Sequence, residues 1–102
     1  MSAAAFSLQG KAALVTGANT GLGQAIAIGL AAAGANIAAA GRSDPAETTA
    51  AVQATGQRCH WIRADLGTKP DCTAMVAEVA HRFGRCDILV NNAGIIRGAD
   101  AL

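Results

Sequence analysis

The sequence predicts an α/β protein built around a doubly wound parallel sheet. Four short apolar runs are separated by three segments in which apolar residues recur every three or four positions. The runs show no polar alternation, as expected of parallel strands that are covered on both faces. Short connections between alternating strands and helices favour the same arrangement. Right-handed crossovers around a central first strand predict four strands in the order 3-2-1-4, with three helices.

The first strand and helix are joined by a glycine-rich turn. Residues 12–16 (AALVT) form the apolar run, and residues 17–23 (GANTGLG) form the turn. A helix is indicated next by a set of residues at helical spacing: Leu22, Ile26, Gly29, Leu30 and Ala33. We expect this helix to end near Gly34, because glycine is common just after a helix.

The second unit begins with the apolar run at residues 36–40 (NIAAA). Its helix has a predicted start at Asp44, whose side chain can cap the first turn. Pro45 fits that turn without wasting a hydrogen-bond donor, and Glu47 can reach back as in a capping box. This helix should run to about Thr55.

The third strand is predicted at residues 59–64 (CHWIRA), although His60 and Arg63 interrupt it. Thr68, with Pro70 in the first turn, predicts the start of the third helix. One face of that helix collects the residues Cys72, Met75, Val76, Val79, Ala80 and Phe83, and Gly84 ends it.

The fourth apolar run, residues 87–90 (DILV), predicts another buried strand. In the order 3-2-1-4 this strand would form an open edge of the sheet, where unpaired backbone groups invite pairing with another chain.

Composition excludes several classes of protein. Apolar residues make up 52% and charged residues 15%, which favours a packed core over disorder. Eight Lys and Arg nearly cancel seven Asp and Glu, so no nucleic-acid partner is expected. Three cysteines without a C-x-x-C pair indicate reduced core thiols and no metal site. The N-terminus lacks the basic and apolar segments of a signal peptide or anchor, which predicts a soluble cytoplasmic protein with no membrane partner.

The glycine-rich turn is the strongest candidate for a binding site. At a junction from strand to helix, backbone N–H groups and the helix dipole can hold a pyrophosphate. Gly17 permits a sharp exit from the strand, Gly21 removes a Cβ where a phosphate approaches, and Gly23 allows the helix to pack closely on the sheet. A purely structural glycine turn is the alternative.

Three motifs in this order resemble the short-chain dehydrogenase/reductase family. They are the G-x-x-x-G-x-G spacing at residues 17–23, Asp65 after the third run, and N-N-A-G at residues 91–94. The resemblance implies that residues 1–102 form the N-terminal half of a Rossmann-type NAD(P)-binding domain, which stops after the fourth strand.

The resemblance also assigns contacts to the cofactor. Residues of the turn would line the pyrophosphate and nicotinamide ribose, namely Gly17, Asn19, Thr20, Gly21, Leu22 and Gly23. Asp65 and the Leu66 backbone would bracket the adenine, while Asn91, Ala93 and Gly94 would border the cofactor from the fourth strand. The alternative for Asp65 is a carboxylate that caps or closes a turn after the strand. The alternative for Asn91 and Asn92 is a turn whose own backbone groups are hydrogen-bonded within it.

Cofactor choice depends on the end of the second strand. An acidic residue there would bind the ribose of NAD and repel a phosphate, but this sequence has Gly41 followed by Arg42. Arg42 can pair with the 2′-phosphate of NADP or can be a solvated loop cation. Both NAD and NADP therefore remain open.

Within the family, several segments are similar to the subgroup called 2-deoxy-D-gluconate 3-dehydrogenase or 2-dehydro-3-deoxy-D-gluconate 5-dehydrogenase. They are residues 6–11 (FSLQGK), 20–24 (TGLGQ), 41–43 (GRS) and 91–97 (NNAGIIR). This resemblance implies a sugar-acid substrate, whose carboxylate Arg97 could bind, and a homo-oligomer for the complete protein. The alternative for Arg97 is an exposed terminal side chain.

The family's acid/base residues are a Tyr and a Lys in a Y-x-x-x-K motif, with a Ser that positions the reacting oxygen. This sequence has no Tyr, and its two lysines, Lys11 and Lys69, precede the region where that motif belongs. We therefore expect no catalytic residue in the chain and no activity from it alone, with hydride transfer left to a complete protein. A nucleotide-binding or interaction module is the alternative.

Overall fold

A computed structural model describes residues 7–19, 21–65 and 72–92. The strands are β1 (Ala12–Thr16), β2 (Asn36–Gly41), β3 (Cys59–Arg63) and β4 (Ile88–Asn91), and the helices are α1 (Gly21–Ala32), α2 (Ala46–Ala54) and α3 (Cys72–Phe83). All strand pairs are parallel, and the sheet order is β3-β2-β1-β4. The predicted α/β class, strand order and number of helices are confirmed.

The sheet is covered on both faces because successive strand residues point to opposite sides. Ala13, Val15, Ile37 and Ala39 pack with α1 and α2, whereas Ala12, Leu14, Ala38 and Ala40 pack with α3. Every residue of β1 is buried, as expected of a central parallel strand. Alanine is the most frequent buried residue on both sides, and its small side chain lets the helices lie close to the sheet.

The buried face of α1 differs from the predicted one. Its buried residues are Gly23, Ala27 and Ala31, at a spacing of four, whereas Leu22 and Gly29 are exposed. Small residues face the sheet because they allow the closest approach of helix to strand, and the larger apolar side chains flank that contact. The predicted end of the helix near Gly34 agrees with its last residue, Ala32.

The predicted cap of α2 is wrong. The capping residue is Pro45, and no side chain caps the helix, while Asp44 is exposed. The Thr49 N–H donates to the Pro45 carbonyl at 2.8 Å, so the first helical turn begins one residue later than predicted. Asp44 therefore lies too early in the chain to cap, and the capping box with Glu47 does not form.

Two predictions of burial are also corrected. Met75 and Val79 of α3 are buried, but Ala80 is exposed because it lies about 100° round the helix from Val79. In β4 the burial alternates, and Leu89 is 48% exposed, because only the face of Ile88 and Val90 packs on the described core. The predicted start of α3 at Thr68 and Pro70 lies outside the described residues, as does the Cys72 side chain.

Candidate functional site

The glycine-rich turn lies at the carboxyl end of the central strand, where β1 passes into α1. Gly17 has a φ of 65° and Gly21 a φ of 59°, a region that costs residues with a Cβ roughly 1–2 kcal/mol. A Cβ built on Gly21 would meet no heavy atom within 4 Å, so the space beside this residue is open. Thr20, between them, lies outside the described residues.

Gly23 allows a contact closer than the sequence predicted. A Cβ at Gly23 would collide with the carbonyl oxygen of Gly17 and would lie 2.8 Å from Asn92 Nδ2. Gly23 is therefore required because the first turn of α1 lies directly against the backbone of Gly17. Its small size also lets the helix pack against the sheet.

The turn is held by hydrogen bonds to three other elements. Thr48 of α2, which is fully buried, donates its hydroxyl to the Ala18 carbonyl at 2.7 Å. Asn92 Nδ2 donates to the Gly17 carbonyl at 3.4 Å, and the Gly17 N–H donates to Ala40 of β2 at 3.0 Å. These bonds fix the turn from α2, from the end of β4 and from β2.

Sequence reasoning missed Thr48 as a residue of the site and treated Asn92 only as part of a turn. The available signal for Thr48 was its place in α2. It lies one helical turn before Val52, so its hydroxyl is on the buried face of the helix. Asn91, which was predicted to border the cofactor, accepts from the Thr16 hydroxyl through Oδ1 at 3.2 Å. Ala93 and Gly94 lie outside the described residues.

A second group of predicted residues lies at the ends of β2 and β3. Arg42 Nη1 is 3.8 Å from Asp65 Oδ1, and the two side chains are 75% and 47% exposed. At such exposure solvent screens the pair, so its contribution to stability is small. The Gly41 carbonyl accepts from the Ala64 N–H at 3.0 Å and from Trp61 Nε1 at 3.1 Å.

Those predicted residues that the structure describes therefore lie along one edge of the sheet, because the carboxyl ends of parallel strands lie together. Asn19 is half-buried, and Leu22 is 66% exposed at the start of α1. Leu66 and Arg97 lie outside the described residues. An open space beside a helix N-terminus, with the nearby carbonyls already bonded, suits a phosphate group that accepts backbone N–H bonds.

Other reactive groups in the described ranges lie elsewhere. Burial raises the pKa of the Cys59 thiol, and burial with the nearby Asp87 carboxylate raises that of Cys86, so neither is an activated nucleophile. His60 Nε2 lies 2.8 Å from Glu78 Oε2. Within residues 7–19, 21–65 and 72–92, no three potential ligands are placed to hold a metal, and no helix could cross a membrane.

Comparison with known proteins identifies the family. The pattern described as short chain dehydrogenase matches residues 11–102. Two relatives named 2-dehydro-3-deoxy-D-gluconate 5-dehydrogenase are similar: that of Dickeya dadantii (strain 3937) is 48% identical over 97 residues, covering 95% of this chain and 38% of the relative. That of Escherichia coli (strain K12) is 49% identical over 98 residues, covering 96% and 39%.

The fold leads to the same family. Carveol dehydrogenase from Mycobacterium avium, whose crystal structure is a complex with NAD, superposes with a TM-score of 0.75 at 29% identity over 87% of this chain and 37% of its own. The chain thus spans well under half the length of these three proteins. The family pattern, the identities and the sheet order together show that the chain belongs to the short-chain dehydrogenase family of oxidoreductases.

Proposed function

We propose that this chain forms the dinucleotide-binding half of an NAD(P)-dependent oxidoreductase that acts on a secondary alcohol of a sugar acid. The observation that carries the proposal is the fixed glycine turn, in which Gly17 and Gly21 have positive φ and Gly23 contacts the Gly17 carbonyl. The dinucleotide is supported by the NAD complex of carveol dehydrogenase, and the sugar acid by the names of the two bacterial relatives.

The residues of this chain would bind and orient the cofactor. Backbone N–H groups of Asn19, Thr20 and Gly21 would hold the pyrophosphate, while Gly17, whose own N–H is bonded to Ala40, would let the chain turn sharply. Thr48 keeps the Ala18 carbonyl bonded inside the protein. Leu22, Gly23, Asn91, Ala93 and Gly94 would border the nicotinamide half, and Arg42, Asp65 and Leu66 the adenosine half. A bound nicotinamide would supply the acceptor or donor for hydride transfer.

The 102 residues contain no Tyr, so the acid/base group implied by the family is not among them. We propose that the isolated chain binds a dinucleotide without turning over substrate, and that activity belongs to the complete gene product. A second candidate function is a nucleotide-binding or interaction module without catalysis. An assay of the complete gene product separates the two, because a module would bind the dinucleotide without reducing NAD⁺ or NADP⁺ in the presence of a sugar acid.

Binding is tested by calorimetry with NADH and NADPH on the complete gene product and its Gly21→Val variant. Valine would place a branched side chain in the open space proposed for the phosphate, so binding should be lost. Gly84→Val is the matched control, since Gly84 also has positive φ (84°) and open space but follows α3 at the opposite edge of the sheet. Unchanged affinity in Gly21→Val, or an equal loss in both variants, would contradict the proposed phosphate site.

We propose that Arg97 binds the carboxylate of the sugar acid. A guanidinium can bind a carboxylate through two parallel hydrogen bonds, and losing a charged hydrogen bond should cost about 1.5–3 kcal/mol. Arg97→Ala should therefore raise KM for deoxygluconate-type acids far more than for a neutral polyol. If acid and polyol are affected equally, Arg97 does not bind the carboxylate.

A further inference from the structure

Trp61 is bonded to the strand end that leads into the predicted ribose-binding residues. Its indole N–H donates to the Gly41 carbonyl at 3.1 Å, and the Ala64 N–H donates to the same oxygen at 3.0 Å. A carbonyl oxygen has two lone pairs and can accept both bonds. We propose that Trp61 is a positioning residue that orients the peptide between Gly41 and Arg42, and thereby sets how the chain discriminates between a ribose 2′-hydroxyl and a 2′-phosphate.

Because the peptide bond is planar, the direction of the Gly41 carbonyl also fixes the direction of the Arg42 N–H. In a trans peptide the C=O and the next N–H point in opposite directions. Since two donors from the β3 segment hold the Gly41 carbonyl toward β3, the Arg42 N–H must point toward the other side of β2. That side carries the glycine turn, because the preceding carbonyl, of Ala40, accepts the Gly17 N–H at 3.0 Å.

Arg42 has the groups needed to recognise a substituent at this position. Within the described ranges its backbone N–H has no hydrogen-bond partner, and its side chain is 75% exposed. The guanidinium lies 3.8 Å from Asp65, a screened contact that a phosphate dianion could replace with stronger charge-assisted bonds. A 2′-hydroxyl brings no charge, so a correctly placed Arg42 favours NADPH over NADH.

The indole hydrogen bond matters because the Gly41 carbonyl accepts two hydrogen bonds from the β3 segment, and Trp61 supplies one of them. Trp61 is paired with Ala39 in the strand register, two residues before Gly41, and its half-buried ring reaches forward to the last carbonyl of β2. Without the indole N–H, that carbonyl would retain only the Ala64 N–H, at the point where β3 has already ended. The peptide could then tilt, and the Arg42 N–H would no longer keep a single direction.

The inference rests on the proposed dinucleotide site, and the experiment separates the two. Trp61→Phe in the complete gene product keeps an aromatic ring and removes the N–H donor together with part of the ring volume. Calorimetry with NADPH and NADH should show that the variant's affinity falls about threefold to tenfold more for NADPH, as expected from one neutral hydrogen bond. His60→Gln is the control, because it changes the next position on β3 and breaks the contact with Glu78 without touching Gly41. Its two affinities should change by the same factor.

A wild type that binds neither dinucleotide would overturn the proposed function, and this inference with it. A wild type that binds, combined with an unchanged ratio of affinities in Trp61→Phe, would overturn only the role of Trp61. Nuclear magnetic resonance provides a second measurement, in which the indole N–H resonance of Trp61 is identified as the one that Trp61→Phe removes. NADP⁺ should shift that resonance more than NAD⁺ does, and equal shifts would contradict the inference.

Discussion

Gly23→Ala isolates the contact between α1 and the glycine turn. The added Cβ would collide with the Gly17 carbonyl oxygen, which is a backbone atom and cannot rotate away. Overpacking of this kind costs about 1–3 kcal/mol, whereas the same change in a helix interior gains up to about 1 kcal/mol of helix propensity. The net expectation is a loss of about 1–2 kcal/mol in the free energy of unfolding.

Gly29→Ala is the matched control for this prediction. Gly29 lies in the same helix, is exposed, and has no heavy atom within 4 Å of a Cβ built on it. This variant should be more stable than the wild type by up to about 1 kcal/mol, because only the propensity changes. Urea unfolding followed by circular dichroism and by the fluorescence of Trp61 measures both variants. Equal stability of Gly23→Ala and Gly29→Ala would refute the proposed contact, and an undiminished affinity of Gly23→Ala for NADH would refute its importance to the site.

Three further predictions concern single interactions. Thr48→Val keeps the volume of the side chain and leaves the buried Ala18 carbonyl without its donor, so the free energy of unfolding should fall by about 1–3 kcal/mol, while Thr48→Ser should recover most of it. Arg42→Ala should weaken NADPH binding more than NADH binding in calorimetry; equal losses would make Arg42 a solvated loop residue. The Arg85 guanidinium, and then the Ala12 N–H, lower the pKa of Asp87, so its contribution to stability is present above the ordinary carboxyl pKa of about 3.9 and is lost as pH falls through the lower folded value. Urea unfolding from about pH 6 downward should therefore show a smaller acid loss in Asp87→Asn than in the wild type, and identical acid losses would contradict this assignment.

Local signals in the sequence were sufficient to predict the architecture and the position of the glycine-rich turn. The signals are local: apolar runs of four to six residues mark the strands, and glycines mark the turn and the ends of the helices. Parallel pairing and right-handed crossovers then leave few possible strand orders, and the observed β3-β2-β1-β4 is the predicted one. Interactions between neighbouring residues, and between adjacent strands and helices, were therefore sufficient to predict the strand order.

The side chains that hold the site together are visible only in the folded protein. Thr48 is 30 positions from Ala18, and Asn92 is 75 positions from Gly17, so no local pattern connects either pair. The bond from Trp61 to Gly41 spans 20 positions and depends on the register of β2 and β3. Likewise, α1 turns Gly23, Ala27 and Ala31 to the sheet because the distance between helix and strand decides which face can be buried, and the hydrophobic spacing alone does not contain that distance.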